Sequence, residues 1–427
     1  MKRLELTKQR LMRDLDAMKA FTATPGEGCT RLPFTKAAQD CASALSSMMV
    51  DAGMEVFTDP AGNVFGRIPG KNRELPCVMM GSHFDSVLHG GDYDGIAGVI
   101  CAIEVARLLL ESGDCFERDF VVAAFNDEEG MRFGTGYFGS GAMLGLRDAS
   151  YCLKYKDMDN VSIYDAMKAV GLDPEHIGEA EWPDGSISCF LELHIEQGPV
   201  LDRERIDLGL VDCIAGIKRY VIKIVGRADH AGTTPMDMRL DAVDAASKVI
   251  CQIADWARES GEGSVATVGV IKVLPGGMNI IAEECEFTVD IRSRNEKILD
   301  DISSKLINSV EEETKAMGGN YQIQQKLSVE PVNLCGAMLD TMEASCKKHG
   351  YSYRYMPSGA GHDSLEIAPY IPTVMLFVPS LNGRSHCPVE YTDIKYFVKA
   401  IQIMKDLAVE QLNKNSEYSI TQRALIE

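Results

Sequence analysis

Three short apolar runs in this chain each stop abruptly at a cluster of ligand-type side chains, and that pattern restricts the fold more than any other feature. Residues 77–80 (CVMM) lead into Gly81-Ser82-His83-Phe84-Asp85, residues 120–125 (FVVAAF) into Asn126-Asp127-Glu128-Glu129-Gly130, and residues 189–194 (CFLELH) into the cluster HIEQG. A short apolar run bounded by turn formers reads as a buried strand, and strands buried on both faces belong to parallel sheets covered by helices. In open α/β sheets the groups that act on ligands gather beyond the strands' carboxyl ends, which is where these clusters fall. After the first cluster a glycine-rich turn runs to Asp94-Gly95 and an apolar helix start. A His, an Asp two residues on and a further Asp are donors that suit a divalent cation. The imidazole binds, one carboxylate can orient it, and another can bridge two ions.

With 427 residues, the chain exceeds what one core usually serves, so two domains are expected. The pattern predicts helices over residues 34–53, from about 95 to 110 and over the charged, amphipathic N-terminus, with short strands at 55–58 and 63–68. From about Cys213 the texture changes. Residues 219–225, 265–273 and 285–291 alternate, while 240–256 and 296–317 carry helical apolar stripes; this describes a small α+β domain with one solvated sheet face. After Pro331 the first style returns: a helix at about 338–349, a glycine-rich loop holding Gly359, Ala360 and His362, a strand at 373–378 and a helix at 396–412. The middle domain therefore reads as an insertion, giving residues 1–212 and 330–427 to a discontinuous catalytic domain and 213–329 to the insert.

Net charge and cysteine usage exclude several classes. A formal charge of −20 would repel phosphates and argues against nucleic acid. No apolar run reaches the roughly 18 residues of a membrane span, and the N-terminus has neither an apolar signal core nor a cleavage site. The 13 cysteines are scattered without a CxxC pair, a reduced pattern that makes a cysteine-based metal site unexpected and a cytoplasmic location the default.

Of the eight histidines, His83, His194, His230, His362 and His386 lie in Gly-, Ser- or acid-rich loops at the ends of apolar runs. His89, His176 and His349 read as loop or solvated residues. The segments GSHFDSV, GGDYDG, NDEEGMRF, LHIEQGPVL, DHAGTTPM, SGAGHDS and FVPSLNGRSHCPVEYT occur in that order over most of the chain. Together they resemble the M20 metallopeptidase superfamily, in its branch of N-carbamoyl-L-amino-acid hydrolases and allantoate amidohydrolases. The resemblance implies a two-metal catalytic α/β domain (phosphorylase/hydrolase-like, with a mostly parallel sheet) and an inserted α+β, ferredoxin-like lid that forms a homodimer.

Carried over residue by residue, the resemblance makes His83, Asp94, Glu129, His194 and His386 the ligands of two divalent ions, with Asp94 bridging. Zinc is the first expectation, and manganese, cobalt or nickel also suit this donor set. Glu128 takes the part of general base, since a carboxylate that is not itself a ligand must move the proton of a metal-activated water. Asp85 would support the His83 imidazole from behind. His230 resembles the histidine that stabilises the oxyanion across the dimer, where a donor is worth on the order of 3 kcal/mol. Asn279 and Arg292 resemble the groups that hold a substrate carboxylate, which a planar guanidinium matches with two hydrogen bonds. Gln197, Gly359 and Ala360 would touch substrate, and His362 is either a pocket wall or structural.

His194 also separates branches, because the peptidases and deacylases place a carboxylate at that ligand position. The expected activity is hydrolysis of the ureido C–N bond of an N-carbamoyl-L-amino acid to amino acid, CO2 and ammonia. The alternative is allantoate, ureidoglycolate or N-carbamoyl-β-alanine, with a peptidase or deacylase further off. Residues 213–218 (CIAGIK) lean towards the carbamoylase form, because allantoate enzymes tend to carry Gln where Ile217 stands.

Overall fold

The computed structural model describes residues 2–414; Met1 and residues 415–427 lie outside the described residues. The described residues divide into two compact units, residues 2–212, 334–356 and 361–414 forming the first and residues 213–333 with 357–360 the second.

The first unit is built on a twisted sheet whose centre is parallel. The strand Cys77–His83 pairs in parallel with Phe120–Phe125 on one side and with Ile187–Ile195 on the other. Ile187–Ile195 in turn pairs in parallel with Thr373–Val378. Antiparallel pairings close both flanks: Val64–Ile68 lies against Phe120–Phe125 and carries Glu55–Thr58 outside it, and Leu208–Ile214 lies against Thr373–Val378. Parallel strands need helical crossovers on the sheet faces. The helix Ile96–Leu110 is buried at every position except Leu110, as expected of a helix that is apolar apart from the paired Glu104 and Arg107. It packs with Lys2–Met18, Gly336–His349 and Ile394–Leu412 over Val78, Met80, Leu191 and Val374 in one apolar cluster. The other sheet face, with Met79, Phe125 and Phe190, is covered by segments around Met143 and Ile367.

Several elements of this unit escape the apolar-run reading. The short helices Phe138–Met143, Ala149–Lys154 and Ile163–Ala169 are too brief to show a helical stripe, and the last two are fixed by side-chain caps from Asp148 and Ser162.

The second unit is an antiparallel four-stranded sheet in the order Asn320–Val329, Gly216–Val225, Glu284–Ser293, Val265–Leu274. Glu284–Ser293 alternates buried and half-buried along its whole length, the period of a sheet covered on one face. The covering helices are Ala242–Ser260 and Glu296–Met317, whose Val249, Ile253, Ile302 and Leu306 meet Ile222, Phe287 and Val289. Among the described residues, no helix is long and apolar enough to cross a membrane, and no disulfide joins the cysteines.

Candidate metal centre

The parallel centre of the first sheet brings three loop clusters to one edge. His83 ends its strand, His194 is the next-to-last residue of its own, and Glu128 and Glu129 lie three and four residues after Phe125, the end of theirs. Asp94 sits in the turn before the helix Ile96–Leu110, and His386 in the loop after Thr373–Val378.

Asp94 is the hub. Its Oδ1 lies 3.4 Å from His83 Nε2 and 3.1 Å from His194 Nε2. Its Oδ2 lies 3.3 Å from His386 Nε2, which is itself 3.5 Å from Glu129 Oε1. Three overlapping donor groups result: His83 with Asp94 and His194; Asp94 with Glu129 and His386; and His83 with Glu128 and Glu129. Because Asp94 belongs to the first two through different oxygens, it can serve two ions at once.

The donor set fits divalent cations on its own chemistry. Ligand atoms about 2.1 Å from a tetrahedral cation stand about 3.4 Å apart, which is the spacing found here. Asp94 Oδ1 and Glu129 Oε1 are buried with no hydrogen-bond partner, a costly state that a cation relieves. The tautomers also agree. His194 Nδ1 lies 2.9 Å from the Ile195 carbonyl, which leaves Nε2, 3.1 Å from Asp94 Oδ1 and 3.2 Å from the Gly95 N–H nitrogen, as the ring nitrogen on the cluster side. His83 Nδ1 faces the Asp85 carbonyl at 3.3 Å and its carboxylate at 3.4 Å, which turns Nε2 inward in the same way.

Asp85 has a second task. Its two carboxylate oxygens accept the backbone N–H groups of Glu128 and Glu129 at 3.0 and 3.2 Å. One buried side chain thus supports His83 from behind and fixes the turn that presents both glutamates.

The electrostatics describe a cluster short of positive charge. Burial pushes the Glu128 carboxyl well above its usual range, with Glu129, Asp363 and Asp85 adding repulsion against the opposing pull of His83. Burial and then Asp94 push Glu129 up to about 7. The hydrogen bond to Asp94 raises His386 to about 9. Burial disfavours a charged His83, yet Glu128, Asp85 and Asp94 outweigh it and raise it well above its ordinary value. Two divalent ions would supply the charge now shared among these protons.

The remaining candidates are spread around and beyond this cluster. Gln197 Nε2 donates to Asp94 Oδ2 at 2.7 Å, placing Gln197 against the hub. Gln197 and His386 hold φ of 58° and 54°, left-handed backbone that costs non-glycine residues free energy and gathers at functional sites. His362 is buried, with its ring between His194 (4.5 Å) and Phe377 (5.6 Å). His89 is half exposed beside Glu27 and belongs to none of the three donor groups.

The other predicted residues lie in the second unit. His230 is exposed, and its Nδ1 accepts from Gly232 N–H at 3.0 Å; the ring proton is therefore on Nε2, an outward donor. Asn279 is exposed, and its carbonyl accepts from Ala231 N–H. The Arg292 guanidinium binds both Asp290 oxygens, at 2.8 and 3.3 Å, and the Gly359 carbonyl at 2.6 Å. That leaves two of its five N–H donors unassigned. Ala360 is tied to Ser358 through both its N–H and its carbonyl.

Sequence reasoning passed over two buried glutamates that touch the loops of this centre, Glu192 and Glu390. A signal was available for Glu192, a single acid inside the apolar run CFLELH. Glu390 lies within the quoted segment FVPSLNGRSHCPVEYT.

Comparison with known proteins is consistent with this geometry. The profile described as peptidase family M20/M25/M40 matches residues 69–410. The chain is 37% identical to the N-carbamoyl-L-amino-acid amidohydrolase of Paenarthrobacter aurescens over 93% of this chain and 96% of that one. It is 33% identical to the allantoate amidohydrolase of Escherichia coli (strain K12) over 93% and 96%. Among solved structures, a hydantoinase/carbamoylase family amidase from Burkholderia multivorans superposes with a TM-score of 0.89 at 31% identity, covering 95% of this chain and 98% of the other.

Proposed function

Since the chain belongs to peptidase family M20/M25/M40, we propose that it is a two-metal amidohydrolase that cleaves the ureido C–N bond of N-carbamoyl-L-amino acids, releasing amino acid, CO2 and ammonia. The observation that carries this reading is the imidazole of His194 in the donor group with His83 and Asp94, where peptidase and deacylase relatives are expected to use a carboxylate. The similarity to the amidohydrolases above supports it.

In this reading His83, Asp94 and His194 hold one ion, Asp94, Glu129 and His386 the other, and zinc is the first candidate. Bound divalent ions supply Lewis acidity, polarising a carbonyl oxygen and making water acidic near neutral pH. Glu128 is the proton carrier. It lies 3.8 Å from His83 Nε2, and its burial favours the protonated state that follows proton uptake. Arg292 and Asn279 bind the substrate carboxylate, the guanidinium through its remaining donors. The Nε2–H of His230 stabilises negative charge on the ureido oxygen, and Gln197, Gly359 and Ala360 contact substrate. A homodimer formed through the second unit is part of the proposal; the exposed Val265, Val270, Ile271 and Leu274 on its edge strand support it. The cytoplasm is the proposed location, in keeping with thirteen cysteines and no disulfide among the described residues.

A second reading, allantoate amidohydrolase, is favoured by the similarity to the Escherichia coli enzyme. Ammonia release from N-carbamoyl-L-amino acids, N-carbamoyl-β-alanine, allantoate and ureidoglycolate, with the amino groups freed from a dipeptide read alongside, separates the two. The highest kcat/KM is expected for an N-carbamoyl-L-amino acid. Preference for allantoate selects the second reading, and cleavage of the dipeptide alone overturns both.

A further inference from the structure

The structure assigns to two buried glutamates outside the donor set, Glu390 and Glu192, the separate tasks of positioning the two halves of the metal centre. This inference rests on the reading of the cluster as a metal centre and is independent of the substrate.

Glu390 holds the half containing Asp94 and His386. Its Oε1 accepts the backbone N–H groups of Tyr93 and Asp94 at 2.9 and 3.1 Å. Its Oε2 lies 2.8 Å from the Ser385 hydroxyl, which is also 2.9 Å from Asp94 Oδ2. Ser385 immediately precedes His386, so one carboxylate joins the loop of the hub to the loop of the histidine that shares its Oδ2. The hydroxyl has one proton for two carboxylate oxygens. A cation held by Asp94 would leave the Ser385 hydroxyl free to direct its hydrogen bond to Glu390 alone. Gly91 makes the approach sterically feasible: a Cβ there would lie 2.1 Å from Glu390 Oε1 and Cδ. The doublet Gly90-Gly91 in GGDYDG therefore has a specific tenant.

Glu192 holds the half containing His83 and His194. It is fully buried, two residues before His194 on the same strand. Its Oε1 accepts from Ser82 Oγ at 2.8 Å, the residue preceding His83. Its Oε2 accepts from the N–H and hydroxyl of Ser364 at 3.0 and 2.6 Å, two residues past the His362 ring that packs on His194. An acid in the middle of an apolar strand is tolerated because three donors satisfy it, and those donors belong to the segments that aim the ligands. Neither glutamate reaches the donor atoms, so each acts through the residues it positions.

Groups behind a ligand set change metal affinity by about 10–100-fold when removed. The test is zinc binding to the chelator-stripped full-length chain, read by competition with a chromophoric chelator and needing no turnover. The wild-type chain is expected to take two equivalents. Glu390→Ala should weaken the equivalent shared by Asp94, Glu129 and His386 about 10–100-fold and the other less, since only Asp94 is common to both, and Glu192→Gln should weaken them in the reverse order. In a His386→Ala background, Glu390→Ala should weaken the surviving equivalent less than Glu192→Gln does. Ser385→Ala and Ser82→Ala each remove one hydrogen bond from the same two clasps and decide the matter if the glutamate variants do not fold. Wild-type affinity for both equivalents in folded variants, or equal weakening of both by each variant, overturns the assignment. Absence of zinc uptake by the wild-type chain overturns the metal reading and this inference with it. Inactivity towards ureido substrates with zinc binding as expected leaves the assignment standing and rejects the substrate reading alone.

Discussion

At the residue scale the account turns on carboxylates with different duties in one small volume. Glu128 and Glu129 are chain neighbours that share the donor group of His83, yet only Glu129 also joins Asp94 and His386. Glu128→Gln keeps the side-chain shape and removes the proton acceptor. Metal content by elemental analysis should stay at the wild-type value while kcat falls by about 10²–10⁴-fold; retained turnover would reject the proton-carrier role. Arg292→Ala should act differently, raising KM about 10–100-fold for the loss of charge-assisted hydrogen bonds with metal content unchanged, as steady-state kinetics would show. The donor types were legible in the sequence because imidazoles and carboxylates stood at the ends of apolar runs. The duties of Glu192, Glu390 and the Asp85 bonds to the Glu128 and Glu129 backbone were not. These contacts span 43 to 297 residues of chain, and no local pattern encodes them.

At the element scale, the strands and helices that build the centre were the legible ones, since each is a continuous apolar run or a helical stripe. What escaped was short or polar. Asn320–Val329 reads NYQIQQKLSV and is mostly exposed, so its strand identity comes from pairing with Gly216–Val225 and not from burial. Gly95 shows an element end dictated by the site. It precedes the helix Ile96–Leu110 with φ of 62°, and a Cβ there would lie 2.3–2.4 Å from the His83 ring. Gly95→Ala should therefore displace His83 and weaken metal binding, with the change visible in a zinc titration. Away from the centre, Asp406 on Ile394–Leu412 accepts from Ser345, Lys348 and His349 on Gly336–His349 at 2.9–3.0 Å. Burial opposes its ionisation, but Lys348, His349 and Ser345 outweigh that and hold its carboxyl below the usual range. A lowered folded-state value contributes stability above the unfolded value near 4 and loses it as pH falls through the folded one. Asp406→Asn should cost about 1 kcal/mol in denaturant unfolding at pH 7, allowing for solvent screening, and the gap from wild type should close under strongly acidic conditions.

At the scale of the whole molecule, two units with separate apolar cores divide the work. The first holds every member of the donor set, and the second holds His230, Asn279 and Arg292. The change in texture at Cys213 was readable because strands buried on one face alternate while strands buried on both do not. The inclusion of residues 357–360 with the second unit was not readable, since it depends on contacts such as Arg292 with the Gly359 carbonyl. The claim that unites the molecule is that paired ions held by the first unit drive ureido hydrolysis. The direct measurement is ammonia release from an N-carbamoyl-L-amino acid by the chelator-stripped chain as zinc or manganese is added back. The account predicts negligible release without metal and a rise that saturates at two equivalents per chain. Full activity without metal, or saturation at a single equivalent, would contradict it.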